Sequence, residues 1–283
     1  MTAVESNQSK KNMTWLAIVS IPIMAYTLIP ILWIMSLSVK SSATLADGKF
    51  IPAEVSWDNY KLILTGDAHS LFIPALVNSL VVCLVATLIS VVLAMFAAYA
   101  IARLEFPGKK LILTTALAVS IFPVISLVTP LYNLWRAVGL FDTQIGLIIP
   151  YLSLTLPLSI WIMSAFFKQI PWEMEQAAQV DGATSWQAFR KVIVPLASPG
   201  VFTTAIITFF TAWNDFVFAI SLTSERARTV PAALAFFTGA SQFVQPTGAI
   251  AAAAVIVTVP VVILVLVFQR RIVSGLTSGA VKG

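Results

Sequence analysis

The sequence predicts an all-α, polytopic membrane protein with six transmembrane helices and a polar loop between the fourth and fifth helices. Of its 283 residues, 59% are hydrophobic and 10% are charged, which leaves too few polar side chains to cover the surface of a soluble protein. The charged residues are also clustered, and the runs between them are long enough to cross a hydrocarbon layer of ~30 Å. Composition therefore places the chain in a membrane before any motif is considered.

The first two spans are predicted at residues 13–39 and 71–102, because neither run contains a charged residue. The second run has Pro74 near its start, where the missing N–H of proline costs little because the first helical turn has no partner for it. The mixed, polar segment between the two runs, residues 40–70, is predicted to be a loop.

The remaining spans are predicted from the same pattern at residues 111–135, 143–167, 200–222 and 249–268. Pro123 and Pro130 lie within the third span, where proline predicts a kink or a broken helix. The fifth span contains Asp215, the one charged residue that falls inside a predicted span.

Charge distribution predicts the orientation of the chain. An even number of spans puts both termini on one face, and eleven of the 17 Lys and Arg residues lie on that face against six on the other. By the positive-inside rule, both termini are then cytoplasmic. We therefore expect cytoplasmic tails at residues 1–12 and 270–283, a membrane domain at residues 13–269, and a cytoplasmic position for the polar loop at residues 171–199.

The rare reactive residues limit the chemistry. One cysteine, Cys83, and one histidine, His69, exclude an intrachain disulfide and leave little from which to build a metal site or a catalytic centre. The sequence also lacks the GxxxxGK[ST] motif that cradles nucleotide phosphates. We expect no catalytic residue, no metal and no enzymatic activity in this chain.

The polar loop is predicted to contain two short helices. Pro171 suits a first helical turn, residues 172–180 are good helix formers, and Gly182 supplies a turn. Thr184 followed by Gln187 has the spacing of a capping box. The second helix then carries an apolar stripe formed by Trp186, Phe189, Ile193 and Leu196. Such a stripe could insert into a groove on another protein or lie on lipid headgroups as a connector, and periodicity leaves both interpretations open.

The run QAAQVDGATSWQAFRKVIVP resembles the cytoplasmic signature loop of permease subunits of ATP-driven, binding-protein-dependent importers. That signature reads Glu-Ala-Ala, three residues, Gly, nine residues, then Ile-x-Leu-Pro, and this chain departs from it at Gln176, which replaces the glutamate. In the family this glutamate is associated with a charged contact to the ATPase, so the resemblance implies that a neutral hydrogen bond or the neighbouring Glu175 replaces the ion pair. The implied coupling residues are Glu175, Gln176, Ala177, Ala178, Asp181, Gly182, Ala183, Trp186, Phe189 and Pro195.

Further segments resemble the carbohydrate branch of this family, the type seen in the second permease of maltose importers. They are SWDNYKLIL at 56–64, NSL at 78–80, TAWNDF at 211–216 and GLTSGAVKG at 275–283. The resemblance implies a bacterial plasma membrane protein that carries a sugar, namely a disaccharide such as trehalose. It also implies a second permease, two ATP-binding subunits that hold ATP and Mg, and an extracytoplasmic sugar-binding protein as partners.

Candidate residues for the sugar path cluster around Asp215. An ionised carboxylate within a bilayer costs about 3 kcal/mol or more, so it is expected to face a wet cavity, a partner or the interface. Trp213 and Asn214 could add a stacking face and hydrogen-bonding groups. The other interpretation is that Asn214 and Asp215 lock helices together. Asn78, Tyr132 and Asn133 are weaker candidates of the same kind.

An ion-coupled secondary transporter that works without an ATPase is the alternative function. Such carriers are also polytopic and kinked by prolines, but they usually have more ionisable groups within their spans and an internal repeat. An importer subunit is therefore favoured.

Overall fold

In a computed structural model the chain is helical, and no strand occurs in the part that the structure describes. The backbone is described for residues 3–237 and 246–280, and side chains for residues 18–237 and 246–269. Both predicted tails, residues 1–12 and 270–283, therefore lie outside the residues whose side chains are described. The backbone of the first helix already begins at Ala3, and that of the last continues to Ala280.

The helices are, in chain order, α1 Ala3–Ser38, α2 Asp58–Leu64, α3 His69–Arg103, α4 Lys109–Ser120, α5 Val124–Val138, α6 Gln144–Gln169, α7 Trp172–Val180, α8 Ser185–Ala188, α9 Val194–Leu196, α10 Ser198–Trp213, α11 Val217–Leu222, α12 Val230–Leu234 and α13 Thr247–Ala280. A single π-helical turn, Phe189–Ile193, joins α8 to α9.

Four of the described helices are long and apolar enough to cross a membrane, namely α1, α3, α6 and α13. Two bent pairs raise the number of spans to as many as six. In one pair α4 meets α5 at 88°, and in the other the segment Ser185–Leu196 meets α10 at 73°. The predicted all-α, multi-pass fold is confirmed.

The helix break predicted at Pro123 is present, whereas Pro130 does not break its helix. Pro123 is the N-cap residue of α5 and marks the predicted break, whereas Pro130 lies within α5 and does not end it. The fifth span, predicted at residues 200–222 with an interruption at Asp215, is indeed broken there: α10 ends at Trp213 and α11 begins only at Val217. The residues between them are Asn214, Asp215 and Phe216, and Asp and Asn favour helix N-termini over helix interiors because their side chains compete for backbone groups.

The described chain divides into two compact units, residues 1–70 with 237–258 and residues 71–236 with 259–283. In the first unit, the predicted loop folds around Lys40, whose side chain is completely buried. Its ammonium donates hydrogen bonds to the carboxylate of Asp47 and the carbonyl of Lys49, both at 2.6 Å, and lies 5.2 Å from the ring of Trp33. The hydrogen bond from Lys40 holds the pKa of the Asp47 carboxyl below its usual value.

In the second unit, small and hydroxyl residues allow α6 to lie close to its neighbours. The hydroxyls of Ser90 on α3 and Thr155 on α6 are 2.6 Å apart, and those of Ser159 on α6 and Thr208 on α10 are 2.9 Å apart. At Gly200 a Cβ atom would come within 2.4 Å of the ring of Phe166, so only glycine permits the approach of α10 to α6 at this point. Interhelical hydroxyl pairs of this kind are a common device where helices pack in a membrane.

Asp142, in the turn between α5 and α6, organises the segment that follows α11. Its backbone has a φ of 57°, a left-handed conformation that Asp tolerates better than most residues. Its carboxylate accepts hydrogen bonds from four consecutive backbone N–H groups, those of residues 224–227, at 2.9–3.1 Å. Burial alone would raise the pKa of the Asp142 carboxyl, but these four donors outweigh burial and hold that pKa below its usual value.

This geometry predicts a pH-dependent segment at residues 224–227. The folded-state pKa of Asp142 is depressed, so the stabilisation by the carboxylate is complete above the ordinary aspartate value of about 3.9 and is lost as pH falls through the folded value. Hydrogen exchange of these four amides, corrected for intrinsic rates, should lose protection as pH falls below about 4.

The variant Asp142→Asn should remove that pH dependence and reduce protection at neutral pH by about 1.5–3 kcal/mol, the range for hydrogen bonds to a charged acceptor. Glu225→Gln is the matched control, since this carboxylate is exposed on the same segment. Equal protection in Asp142→Asn and wild type would contradict the assignment.

Candidate functional site

The polar loop between α6 and α10 forms the two helices that the sequence predicts. Pro171 is the N-cap residue of α7, and Gly182 has a φ of +87° in the turn that follows. The capping box at α8 is present: the Thr184 hydroxyl accepts the N–H of Gln187 at 3.3 Å, and the Gln187 side-chain oxygen accepts the N–H of Thr184 at 2.9 Å. Local sequence therefore fixes the start of each helix.

Downstream of the capping box, the second loop helix is not a regular α-helix. It widens into the π-helical turn Phe189–Ile193 shortly before Pro195. Proline has no N–H to donate and its ring crowds the preceding turn, and a wider turn accommodates that loss at the point where the chain enters α10.

The predicted apolar stripe divides between the inside and the outside of the molecule. Phe189 and Ile193 are buried, at 5% and 0% exposure, whereas Trp186 and Leu196 remain about half exposed. The buried pair packs in one cluster with side chains of α3 and α6, namely Ala94, Ala98, Met163 and Phe167. The stripe thus serves first to attach the loop to the membrane helices of its own chain.

Aromatic rings reinforce this attachment. The ring of Phe189 has its centroid 4.8 Å from that of Tyr99, 5.5 Å from Trp186, 5.8 Å from Phe96 and 6.4 Å from Phe167. Pairs of this geometry stabilise packing beyond the area they bury, by about 0.5–1.5 kcal/mol each. The loop is held by many rings rather than by one contact.

Glu175 and Gln176 differ sharply in exposure. Glu175 is 1% exposed and turns toward Tyr99 and Arg103 of α3, whereas Gln176 is exposed. A carboxylate buried against its own chain is not available to a partner, so the expectation that Glu175 replaces the missing ion pair does not fit this arrangement. The exposed members of the predicted coupling set are Gln176, Ala177, Asp181, Gly182, Trp186 and Pro195, with Ala178 and Ala183 half-buried and Glu175 and Phe189 buried.

Asp215 lies in the break between α10 and α11 and holds the start of α11. Its carboxylate accepts the N–H of Ala219 at 3.1 Å and that of Phe218 at 3.5 Å. Trp213 is 5% exposed and stacks on Phe209, with ring centroids 5.2 Å apart. The group expected to contact a sugar therefore has its carboxylate and its indole engaged within the chain, and Asn214 is the exposed member.

The other three path candidates lie elsewhere. Asn78 is buried and clamps the segment after α11: its amide donates to the carbonyls of Arg226 and Arg228 at 2.9 and 3.1 Å, and its oxygen accepts from Gln144 at 2.8 Å. Tyr132 accepts a hydrogen bond from Arg136 at 3.0 Å, and Asn133 is exposed.

Two of the cavities formed by the described residues lie in the second unit, and no path candidate lines either of them. A polar one of about 350 Å³ lies beside Asp142, Thr143, Gln144, Ile145, Arg226 and Ala227. An apolar one of about 320 Å³ lies between α5, α6 and α11. Among the described residues, no group of three or more His, Cys, Asp or Glu side chains is arranged to hold a metal ion.

Comparison with known proteins identifies relatives over nearly the whole chain. Residues 90–278 match the family of binding-protein-dependent transport system inner membrane components. The trehalose transport system permease protein SugB of Mycobacterium tuberculosis is 57% identical, covering 95% of this chain and 98% of the relative. The trehalose/maltose transport system permease protein MalG of Thermococcus litoralis and the sulfoquinovosyl glycerol transport system permease protein SmoH of Agrobacterium fabrum are each 40% identical, covering 90% of this chain and 92% and 89% of their own lengths.

Solved structures share the fold. A chain in the crystal structure of a bacterial ABC transporter involved in the import of the acidic polysaccharide alginate superposes with a TM-score of 0.74. It is 22% identical, and the match covers 95% of this chain and 98% of the other. At that identity the likeness concerns the arrangement of helices.

The position of Asp215 predicts a capping role that can be measured. Asp215→Ala should lower the stability of the region around α11 by about 1 kcal/mol, because an N-terminal cap is lost. Hydrogen exchange at Phe218 and Ala219 should report the loss, and Asp215→Asn should retain most of the protection. Asn214→Ala is the matched control, and equal exchange in Asp215→Ala and wild type would contradict the cap.

Proposed function

The chain belongs to the family of inner membrane components of binding-protein-dependent transport systems, and from this premise we propose that it is the permease of a disaccharide importer, with trehalose as its substrate. Family membership makes it a multi-pass transport subunit. It also favours an ABC importer over the ion-coupled carrier that the sequence left as an alternative.

The single observation that carries the choice of sugar is the 57% identity to a trehalose permease over 95% of this chain. Lower identity does not discriminate, since relatives at 40% are named for trehalose and maltose in one case and for sulfoquinovosyl glycerol in the other. The compounds in all three names are glycosides rich in hydroxyl groups, so the relatives agree on the class of substrate and differ in the individual compound.

In the proposed assembly this chain forms the translocation path with a second permease. Two ATP-binding subunits hold ATP and Mg, and an extracytoplasmic protein delivers the sugar. The chain itself contributes no nucleotide-binding motif. Both termini lie in the cytoplasm, in accord with the excess of Lys and Arg on that face. The loop helices α7 and α8 then face the ATPases, and the Asp142 turn faces the binding protein.

Contact with the ATPase is proposed to rest on shape and apolar insertion. Gln176 is exposed and neutral, Glu175 is buried, and the exposed side chains nearby include Val180 at 87% and Trp186 at 55%. Closure of the ATPases would push on this surface, and the rings around Phe189 would pass the displacement to α3 and α6. Rigid-body rocking of packed helices between inward-open and outward-open states follows from such a push.

Reconstitution tests the function. Proteoliposomes that contain this chain, its partner permease and the ATP-binding subunits should accumulate labelled trehalose only when ATP and the sugar-binding protein are supplied. Unlabelled trehalose should compete and unrelated monosaccharides should not. Uptake by this chain alone under an ion gradient would falsify the importer assignment, and transport of another disaccharide in preference to trehalose would reject the substrate.

The turn at Gly182 gives a second prediction for the same assay. A β-branched residue is strained at a φ of +87° although the space around the position is open. Gly182→Val should therefore misplace α7 relative to α8 and lower uptake about tenfold or more, a change equivalent to ~1.4 kcal/mol, while ATP hydrolysis persists.

The matched control is Gly48→Val, which has the same kind of strain, a φ of +67° and open space, in the first loop. Normal uptake in Gly182→Val, or an equal loss in Gly48→Val, would show that the turn is not the coupling element.

A further inference from the structure

Glu175 is an unusual residue for its position. Among the described residues, it and Lys40 are the charged side chains that are fully buried. Lys40 belongs to the first compact unit and closes a loop there, but Glu175 lies on α7, in the segment proposed to meet the ATPases. Burial of a carboxylate is costly unless it is paired and hydrogen-bonded, so its partners indicate what it does.

Both partners of Glu175 come from the last turns of α3. The Tyr99 hydroxyl donates a hydrogen bond to Oε1, and the Arg103 Nε lies 3.5 Å from Oε2, with side-chain exposures of 5% for Arg103 and 2% for Glu175. The charges also suit the helix ends, because a cation stabilises the C-terminus of α3 and an anion the N-terminal half of α7. Each oxygen of the carboxylate is thus directed at one residue of α3.

Arg103 extends the same contact to α6. Its Nη2 donates to the carbonyl of Ile170 at 3.0 Å, and Ile170 is the C-cap residue of α6. Its guanidinium also lies 5.1 Å from the ring of Trp172, the first residue of α7. One side chain therefore joins the end of α3, the end of α6 and the beginning of α7.

Tyr99 links the two loop helices to each other. Its hydroxyl binds Glu175 on α7, while its ring meets the ring of Phe189, beyond α8, edge-on at 4.8 Å. A displacement of either loop helix must move Tyr99 or break one of these contacts. The loop helices and the end of α3 are held as one body.

We propose that Tyr99, Arg103 and Glu175 form the joint through which the loop helices move α3, and that Glu175 is a positioning residue for energy coupling. This inference rests on the proposed importer function. A buried ion pair stabilises a protein no better than well-packed apolar residues often do. It does, however, fix the relative position of the two helices that it joins, whereas helices in apolar contact can slide past each other. Gln176 faces the partner and Glu175 holds the helix that presents it.

The test uses the complete transporter in proteoliposomes, with trehalose-loaded binding protein, and measures ATP hydrolysis and trehalose uptake in the same vesicles. In Glu175→Gln the complex should assemble and hydrolyse ATP, but uptake per ATP should fall about fivefold or more, the lower end of typical coupling effects. Glu173→Gln, an exposed carboxylate on the same helix, should keep the wild-type ratio, and Glu175→Asp should restore part of it.

The outcomes separate three cases. If the wild-type complex transports no sugar, the proposed function fails. If wild type transports and Glu175→Gln has a normal ratio, the joint is rejected. If uptake and hydrolysis fall together with the amount of assembled complex, the ratio of uptake to ATP hydrolysis in a second variant, Tyr99→Phe, decides between the joint and a merely structural role.

A second variant covers the case in which Glu175→Gln does not assemble. Tyr99→Phe removes only the hydroxyl and leaves the ring against Phe189, so the complex should form. Its uptake per ATP should fall about fivefold or more for the same reason, and an unchanged ratio in Tyr99→Phe overturns the proposal.

Discussion

Water is excluded from the hydrocarbon layer, and this constraint governs where every charged and hydrogen-bonding group of the chain can lie. Among the described residues, three carboxylates of the second unit are each matched to hydrogen-bond donors or to a cation. Asp142 receives four backbone N–H groups, Asp215 caps a short helix, and Glu175 meets a tyrosine and an arginine. These few residues connect spans that apolar packing alone would leave free to slide.

The two ends of the second unit use different chemistry for this purpose. Around Asp142 and Asn78, side chains bind the backbone of the segment after α11, which fixes an irregular loop. Around Glu175 and Phe189, side chains bind other side chains and pack rings. Backbone clamps hold a loop in a defined shape, whereas packed rings and a buried ion pair hold rigid helices to one another. The second arrangement is the one suited to transmitting a displacement.

The replacement of the signature glutamate by Gln176 is easier to understand in this light. The neighbouring Glu175 is committed to α3, and Gln176 exposes a neutral amide near the apolar side chains of Val180 and Trp186, while the loop also exposes the charged Glu173, Asp181, Arg190 and Lys191. The part of a partner contact that Gln176, Val180 and Trp186 make depends little on ionic strength, because screening acts on charges and not on apolar area. Mechanical coupling can then be divided between an outer surface that presents Gln176 and an inner joint that holds Glu175.

The sequence by itself determined the membrane class, the approximate spans, the break at Pro123, the capping box at Thr184 and the turn at Gly182. Each of these depends on local physics: hydrophobic run length, the missing N–H of proline, side-chain capping and a positive φ. The family resemblance also followed from local spacing, and the match over residues 90–278 confirms it.

Tertiary structure alone decided which side of each helix is inside. Periodicity gave one stripe for Trp186, Phe189, Ile193 and Leu196, but packing against α3 and α6 buried only the middle two. Tertiary packing likewise turned Glu175 inward and Gln176 outward. It also placed Asn78 against the backbone of the segment after α11 and Asp215 against the first backbone N–H groups of α11. These outcomes depend on residues that are distant in the chain, such as Arg103 for Glu175 and Arg226 for Asn78, and no local pattern specifies such a pairing.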